Sequence, residues 1–246
     1  MAQNEIIGST VPGSPRLRAL YTWLGTRIIN LTLNISASGL EHTPASGPLL
    51  VVANHVTFSD PMVVMACLPR TLIPMAKVEI FENRLTGWLM KSGGGIPVHR
   101  GEADMSAVKL ALSVLKQGGA VLLAPEGTRS HTGQLQPAKD GATMLALRGN
   151  AAILPVGVSG IEQARQSWRR LRRPAVRLSV GPPFRLRTAG RRPSREEMSA
   201  LTTALMFQIA AQLPPEYRGR YSDVDGYQAS PEHARLIAPV KSLTIS

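Results

Sequence analysis

The chain has 246 residues, of which 43% are hydrophobic and 4% aromatic, and its formal net charge is +12. This length and composition suit one large globular domain and exclude a fibrous, disulfide-rich or disordered protein. The charge predicts attraction to an anionic partner, such as nucleic acid, anionic lipid or an acidic carrier protein. The single cysteine, Cys67, rules out a disulfide within the chain and fits a reducing compartment.

The first predicted segments are a leader and a helix. Residues 1–15 are polar and rich in proline and glycine, without the apolar stretch of a secretory signal, so we expect a flexible leader. Residues 16–38 carry apolar side chains at helical spacing, which predicts an amphipathic helix. Its arginines and asparagines make it too polar for a transmembrane helix. It either attaches to the headgroup plane of a membrane or packs on the protein's own core.

Residues 39–215 form the predicted main domain, because strand and helix patterns alternate there. Strands are predicted at 48–53, 73–77, 95–98, 120–124, 153–158 and 175–180, and helices at 60–68, 82–91, 104–117, 140–148 and 194–213. This order predicts an α/β fold with a mostly parallel sheet flanked by helices. Asp60 and Pro61 are typical of an N-cap and the first position of a helix. Residues 216–246 are polar and irregular, which predicts a C-terminal surface tail.

A basic stretch lies near the end of this domain. Residues 165–195 contain eleven arginines. The stretch touches anionic lipid, docks an acidic acyl carrier protein or the phosphates of CoA, or is simply a solvated face. Charge alone does not choose among these interpretations.

His55 and Asp60 are the strongest candidates for chemistry. His55 directly follows the predicted buried strand 48–53, and ligands of parallel sheets bind at the carboxyl ends of strands. A histidine there suits proton abstraction near neutral pH. Asp60 lies five residues further on, where its carboxylate can accept the imidazole Nδ1–H and leave Nε2 free as a base. Taken singly, a satisfied core histidine and a plain helix cap are the competing interpretations.

A second cluster, Pro125 to Ser130, follows the buried strand 120–124. Gly127 permits a tight turn and a close approach of ligand to backbone. Arg129 can bind a phosphate through two parallel hydrogen bonds, and Thr128 adds a hydroxyl donor. Glu126 bonds an acceptor hydroxyl or holds an arginine in place. The competing interpretation is an exposed turn with an Arg–Glu pair.

The remaining candidates lie around a third strand and further along the chain. Arg100 follows the predicted strand 95–98 and is expected to face the same cleft. Lys139, with Gly141, and the segment Leu154-Pro155-Val156 complete the set of candidates.

In this order and spacing, the clusters resemble the PlsC-like glycerolipid acyltransferase family, typified by the bacterial 1-acylglycerol-3-phosphate acyltransferases. Asn54-His55 through Asp60 matches the family's N-H-x4-D block. Glu126-Gly127-Thr128-Arg129 matches its E-G-T-R block in full. The resemblance covers residues of about 40 to 185.

Two further blocks are less specific. Gly95 through Arg100 is similar to the family's G-x-I-x-I-x-R block, but Pro97 and His99 replace residues that are more often apolar and acidic. Leu154-Pro155-Val156 looks like its final proline block, and Lys139 stands where the family often has K-x-G.

The resemblance implies an O-acyltransferase of phospholipid biosynthesis that uses no cofactor and no metal. It moves a fatty acyl group from acyl-CoA or acyl-carrier protein to the free hydroxyl of a lysophospholipid, with 1-acylglycerol-3-phosphate as the expected acceptor and another lysophospholipid or specialised acceptor as the alternative. His55 is the implied base and Asp60 its orienting acid. The implied substrate-binding residues are Asn54, Arg100, Glu126, Gly127, Thr128, Arg129, Lys139 and Pro155. We expect a cytoplasmic enzyme, peripheral or monotopic on the inner face of the cell membrane and in contact with its anionic surface.

Two rival hypotheses belong to other classes of protein. A basic protein without catalysis could bind nucleic acid or an anionic membrane, but zinc-finger spacing and aromatic stacking motifs for nucleic acid are missing, so we expect no nucleic-acid partner. A metal-dependent hydrolase could use His55, Asp60, His99 and Glu126, but their spacing matches no zinc pattern.

Overall fold

A computed structural model of the chain describes residues 15–99, 104–188 and 192–240. The strands are β1 (Asn34–Ser38), β2 (Leu49–Ala53), β3 (Leu72–Lys77), β4 (Ile96–Val98), β5 (Ala120–Leu123), β6 (Ala152–Ser159), β7 (Ala175–Val180), β8 (Phe184–Leu186) and β9 (Ile237–Pro239). The helices are α1 (Pro15–Thr32), α2 (Asp60–Cys67), α3 (Val78–Glu82), α4 (Arg84–Gly93), α5 (Met105–Lys116), α6 (Gly141–Arg148), α7 (Ala164–Arg169), α8 (Arg195–Ala210), α9 (Pro215–Arg218), α10 (Val224–Gln228) and α11 (Pro231–Leu236).

The strands form one nine-stranded sheet in the order β1-β7-β6-β2-β5-β3-β4, with β8 against β6 and β9 against β8. The five strands from β6 to β4 in this order run parallel to their neighbours. Antiparallel pairing is confined to β6–β7 and to the short strands β8 and β9. The predicted α/β fold with a mostly parallel sheet flanked by helices is therefore confirmed.

The central strand β2 is buried on both faces. Leu49 and Val51 pack with α1 and α2 on one side, and Leu50 and Val52 pack with α5, α6 and α8 on the other. All four side chains are 0% exposed, and each such burial contributes about 1.5–3 kcal/mol. This two-sided burial explains why the strand is a continuous apolar run, and it fixes the direction in which the chain leaves the sheet at residue 54.

The N-terminal helix is shorter than predicted. Helix α1 ends at Thr32, and the second part of the predicted segment 16–38 is strand β1. Strand β1 pairs with the edge of β7, a partner about 140 residues away that helical periodicity does not reveal. The predicted apolar stripe is exposed at Leu20, Leu24, Ile28 and Leu31. The helix nevertheless packs on the protein's own core through Ile29, which lies off that stripe and is buried. Most of the predicted leader lies outside the described residues.

Three other predictions need correction. The described part of the C-terminal segment, residues 216–240, is not a surface tail: Tyr221, Val224 and Leu236 are buried in the core, and β9 extends the sheet. Its apolar residues are too widely spaced to predict this packing. The predicted helix 82–91 is observed two residues later, as α4, and the short helix α3 before it was not predicted. Finally, Ser59 is the N-cap of α2, and Asp60 is its first residue, with its side chain turned back to the preceding loop.

Candidate active site

A cavity of about 440 Å³ opens at the carboxyl ends of the parallel strands, where ligands of such sheets bind. Its lining comes from the residues after β2 and β5, from the ends of β3 and β4, and from α5 and α6. The inner wall is apolar and is formed mainly by Met75, Val108, Leu122, Leu123, Met144 and Leu145. Polar groups lie among them at His55, Lys77, His99, Asp104 and Lys139. The cavity therefore suits a ligand with a long apolar part and an anionic head.

The first predicted pair meets at this cavity. The Nδ1 atom of His55 lies 3.2 Å from Oδ2 of Asp60. The His55 side chain is 14% exposed, whereas the Asp60 side chain is 2% exposed. A buried carboxylate on Nδ1 fixes the ring tautomer, leaving Nε2 as the basic nitrogen, and stabilises an imidazolium if one forms.

Asp60 also organises the loop between β2 and α2. Its Oδ2 accepts hydrogen bonds from the backbone N–H groups of Val56 at 2.6 Å and Thr57 at 2.7 Å. Its Oδ1 accepts the hydroxyl of Thr57 at 2.7 Å. The short loop and the turn into α2 bring the carboxylate back toward His55. One side chain thus sets both the loop conformation and the imidazole orientation.

Glu126 joins the two predicted clusters through the backbone. Its Oε1 accepts the N–H of His55 at 2.9 Å, and its Oε2 accepts the N–H of Gln136 at 2.8 Å. The carbonyl of His55 in turn accepts the N–H of Ser130 at 2.8 Å. The backbone of His55 is therefore held by the loop that follows β5, and among the described residues Glu126 bonds this backbone and forms no ion pair with an arginine.

Burial makes Glu126 an unusual acid. Desolvation raises the pKa of its carboxyl to about 7, although the N–H groups of Gln136 and His55 oppose the shift. An acid with a raised pKa in the folded state binds a proton there at pH values where the unfolded chain has released it. The contribution of Glu126 to the free energy of unfolding therefore falls as the pH rises from its ordinary pKa of 4.5 to about 7.

We expect this loss to be visible against the variant Glu126→Gln. The stability of the native protein relative to the variant should fall as the pH rises from about 4.5 to about 7, by up to about 3 kcal/mol. Denaturant unfolding of both proteins at a series of pH values measures the difference. A difference that stays flat or grows with pH would show that Glu126 is already ionised in the folded protein throughout.

The second cluster places its members differently. Gly127, with φ of 68°, and Lys139 line the cavity. Thr128 and Arg129, the two residues after Gly127, are exposed and are not among the cavity-lining residues. The positive φ requires a glycine at 127, because other residues adopt this conformation at a cost of about 1–2 kcal/mol. The contact of Thr128 and Arg129 with a substrate stays a prediction.

Asn54 and Pro155 are both buried, and of the two only Asn54 lines the cavity. The amide of Asn54 donates to the carbonyl of Val158 at 2.9 Å and accepts the N–H of Val158 at 2.8 Å, which extends the pairing of β2 with β6. Pro155 lies in buried β6 and is not among the cavity-lining residues. Their substrate contacts remain predictions. Arg100 lies outside the described residues.

A second His–Asp pair lies on the same cavity and is missing from the predicted site. Nδ1 of His99 lies 2.9 Å from Oδ2 of Asp104, and the same oxygen accepts the N–H of His99. These bonds and those from Ser106 and Ala107 hold the pKa of Asp104 well below its usual range. The spacing of five residues repeats that of His55 and Asp60, which is the signal that would have revealed it. Its imidazole is 63% exposed, so it stands at the rim.

The described residues contain no group of three or more histidine, cysteine, aspartate or glutamate side chains positioned to hold a metal ion. Nor does any described helix have the length and apolar character needed to cross a membrane.

Comparison with known proteins identifies relatives. A family model described as acyltransferase matches residues 34–159. The chain is 28% identical to the 1-acyl-sn-glycerol-3-phosphate acyltransferase of Bacillus subtilis, over 74% of this chain and 89% of that protein. It is 31% identical to the Streptococcus pneumoniae protein of the same name, over 58% of this chain and 55% of that protein.

A similar fold is also known from a crystal structure. The chain matches the 1-acyl-sn-glycerophosphate acyltransferase PlsC of Thermotoga maritima with a TM-score of 0.60 and 21% identity. The match covers 87% of this chain and 80% of that one.

Proposed function

The chain belongs to the acyltransferase family, and on that premise we propose that it transfers a fatty acyl group from acyl-CoA or acyl-carrier protein to the free hydroxyl of 1-acylglycerol-3-phosphate. The observation that carries this proposal is the His55 imidazole, held by buried Asp60 at the wall of an apolar cavity. We also propose that the reaction needs no cofactor other than the acyl donor.

The reaction follows from this geometry. Nε2 of His55 takes the proton of the acceptor hydroxyl, and the hydroxyl oxygen attacks the thioester carbonyl carbon. The tetrahedral intermediate then collapses, breaks the C–S bond and releases a thiolate, which recovers the proton from the imidazolium. Asp60 stabilises that imidazolium. The cavity lining among the described residues includes no serine, threonine or cysteine, which supports direct transfer without an acyl-enzyme.

The substrate's two parts match two parts of the cavity. The apolar wall formed by α5, α6 and β5 accommodates an acyl chain, and Lys139 and Arg129 supply positive charge for the acceptor phosphate. Holding both substrates against His55 contributes to the rate, because orientation supplies up to about 7–11 kcal/mol in favourable cases.

Arg129→Ala should raise the KM for 1-acylglycerol-3-phosphate about 10-fold or more, because a charge-assisted hydrogen bond to phosphate is lost. The KM for the acyl donor should change little. Arg148→Ala is the matched control, since Arg148 is an exposed arginine of α6 outside the cavity lining. Acceptor kinetics that are the same in both variants would remove Arg129 from the phosphate site.

The proposed acceptor is a membrane lipid, and we propose that α1 attaches the enzyme to the inner face of the cell membrane. The apolar face of α1, which consists of Leu20, Trp23, Leu24, Ile28 and Leu31, is exposed. Helix α1 packs against α2 and α4, where Met62 and Trp88 are also exposed. Phe58, 50% exposed, lies in the loop between His55 and Asp60. A membrane on this side would bring lipid acceptors to the catalytic loop.

An acyl-transfer assay tests the proposal. Purified protein is supplied with acyl-CoA or acyl-carrier protein and, in separate reactions, with 1-acylglycerol-3-phosphate, other lysophospholipids and glycerol-3-phosphate. We expect the highest kcat/KM with 1-acylglycerol-3-phosphate. Preferred transfer to a different acceptor would overturn the assignment of the substrate, and transfer to none of them would overturn the proposal as a whole.

A further inference from the structure

Helix α7 ends in an unusual turn. The N–H of Leu171 donates to the carbonyl of Trp168 at 3.0 Å, and the N–H of Arg172 donates to the carbonyl of Ser167 at 3.0 Å. This pair of bonds is the Schellman arrangement that terminates helices, and its left-handed position is usually a glycine. Here the position is occupied by Leu171, with φ of 53°.

Leu171 gains nothing from the protein's own core in this conformation. Its side chain is 97% exposed, the highest value among the exposed large hydrophobic residues of the described chain. A left-handed conformation is unfavourable for a residue with a Cβ. Leu171 is therefore both strained and exposed. Its apolar side chain can be buried only by contact with another molecule or with a membrane.

The surroundings of Leu171 are strongly basic. Arg169, Arg170 and Arg172 are exposed, and none takes part in the ion pairs found among the described residues. Between Glu162 and Glu196 the chain contains no acidic residue. We call residues 168–172 the basic tip: a half-exposed tryptophan and an exposed leucine among three arginines.

The basic tip is hydrogen-bonded to the C-terminal end of α1. Nε1 of Trp168 donates to the carbonyl of Thr32 at 3.3 Å. The Arg173 guanidinium donates to the carbonyls of Asn30 and Leu33, which satisfies backbone acceptors at the C-terminal end of the helix. The tip therefore lies at the C-terminal end of α1, where Leu31 is 76% exposed.

We propose that the basic tip is a docking element for anionic lipid, with Leu171 and Trp168 in the boundary between headgroups and acyl chains and the three arginines on lipid phosphates. This inference rests on the proposed function, which brings the protein to a membrane. What it adds is that the lipid is anionic and that the basic tip selects it. An exposed leucine flanked in the chain by three exposed arginines, beside the end of a helix with an exposed apolar face, matches the layered chemistry of an anionic bilayer surface. An acidic carrier protein offers the negative charge but no acyl layer for Leu171 and Trp168.

Vesicle partitioning of the full chain tests the charge. Neutral phosphatidylcholine vesicles are compared with vesicles that contain phosphatidylglycerol. The variant Arg169→Gln/Arg170→Gln/Arg172→Gln should lose about 100-fold in partitioning to anionic vesicles and little to neutral ones. The control Lys109→Gln/Lys116→Gln/Arg148→Gln removes the same charge from exposed positions on α5 and α6, against the other face of the sheet, and should lose much less. Equal losses in the two triple variants would overturn the proposal.

The variant Leu171→Gly tests the contribution of the exposed leucine side chain separately. Removing the strained side chain should raise the thermal midpoint but weaken vesicle binding about tenfold, whereas Leu171→Met should bind normally. Unchanged vesicle binding of Leu171→Gly would overturn the proposal, as would a loss of acyl-carrier binding by the arginine variant without a loss of vesicle binding. Transfer to short-chain, monomeric acceptor should be unaffected in all these variants, so failure of the tip is distinguishable from failure of the proposed function.

Discussion

His55→Ala should lower kcat for acyl transfer by about 10³- to 10⁴-fold, because the acceptor hydroxyl loses its base. The fold should survive: the side chain lies at the cavity wall, and the bonds that hold residue 55 to Glu126 and Ser130 use its backbone. Steady-state kinetics with saturating donor and acceptor measure the first effect, and thermal unfolding measures the second.

The matched control for this variant is His131→Ala. His131 is an exposed histidine of the loop after β5 and does not line the cavity. Its removal should leave kcat within a factor of about two of the original value, which is the behaviour of surface positions away from a site. If both variants retained full activity, the base would have to be sought elsewhere, and His99 would be the next histidine of the cavity to replace.

The central part of the fold is well predicted by sequence because its signals are local. Strands β2 and β5 are short apolar runs that burial on both faces of a parallel sheet requires, and both candidate clusters begin directly after them. The rule that ligands bind at carboxyl ends of strands then brings His55 and Gly127 to one cavity, as the structure has them.

Features that depend on distant pairing were not predicted. Strand β1 exists because β7 offers it an edge, and β9 because β8 does. The bond from Glu126 to the His55 backbone joins residues 71 positions apart, and the acidic side chain was expected to meet an arginine or an acceptor. The apolar wall has no signature of its own, because Met75, Val108 and Met144 come from different elements and each is an ordinary core residue in the sequence.

Asp60→Asn should lower kcat by about 10³- to 10⁴-fold and also destabilise the protein, by about 1–3 kcal/mol. An asparagine offers one oxygen and one NH₂ group, but the carboxylate meets only donors: the N–H groups of Val56 and Thr57, the Thr57 hydroxyl and the imidazole. In one orientation of the amide, its NH₂ group faces two backbone N–H groups at a site that is 1% exposed. In the other, its oxygen accepts from them and its NH₂ group donates to the Thr57 hydroxyl, which then accepts instead of donating. In both orientations the negative charge that strengthens these bonds and stabilises the imidazolium is lost. Kinetics and denaturant unfolding of the same preparation measure the two effects.

Thr57→Val separates the two roles of Asp60. It removes the hydroxyl bond to Oδ1 but leaves the backbone donors and the imidazole on Oδ2, so the loop is weakened while the base keeps its orienting acid. We expect a loss of stability of about 1 kcal/mol and a rate reduction of no more than about tenfold. If Thr57→Val instead reduced the rate as severely as Asp60→Asn, Asp60 would act by shaping the loop rather than by stabilising the imidazolium. A small rate effect of Thr57→Val together with a measurable loss of stability would therefore assign the electrostatic role to the Asp60 carboxylate.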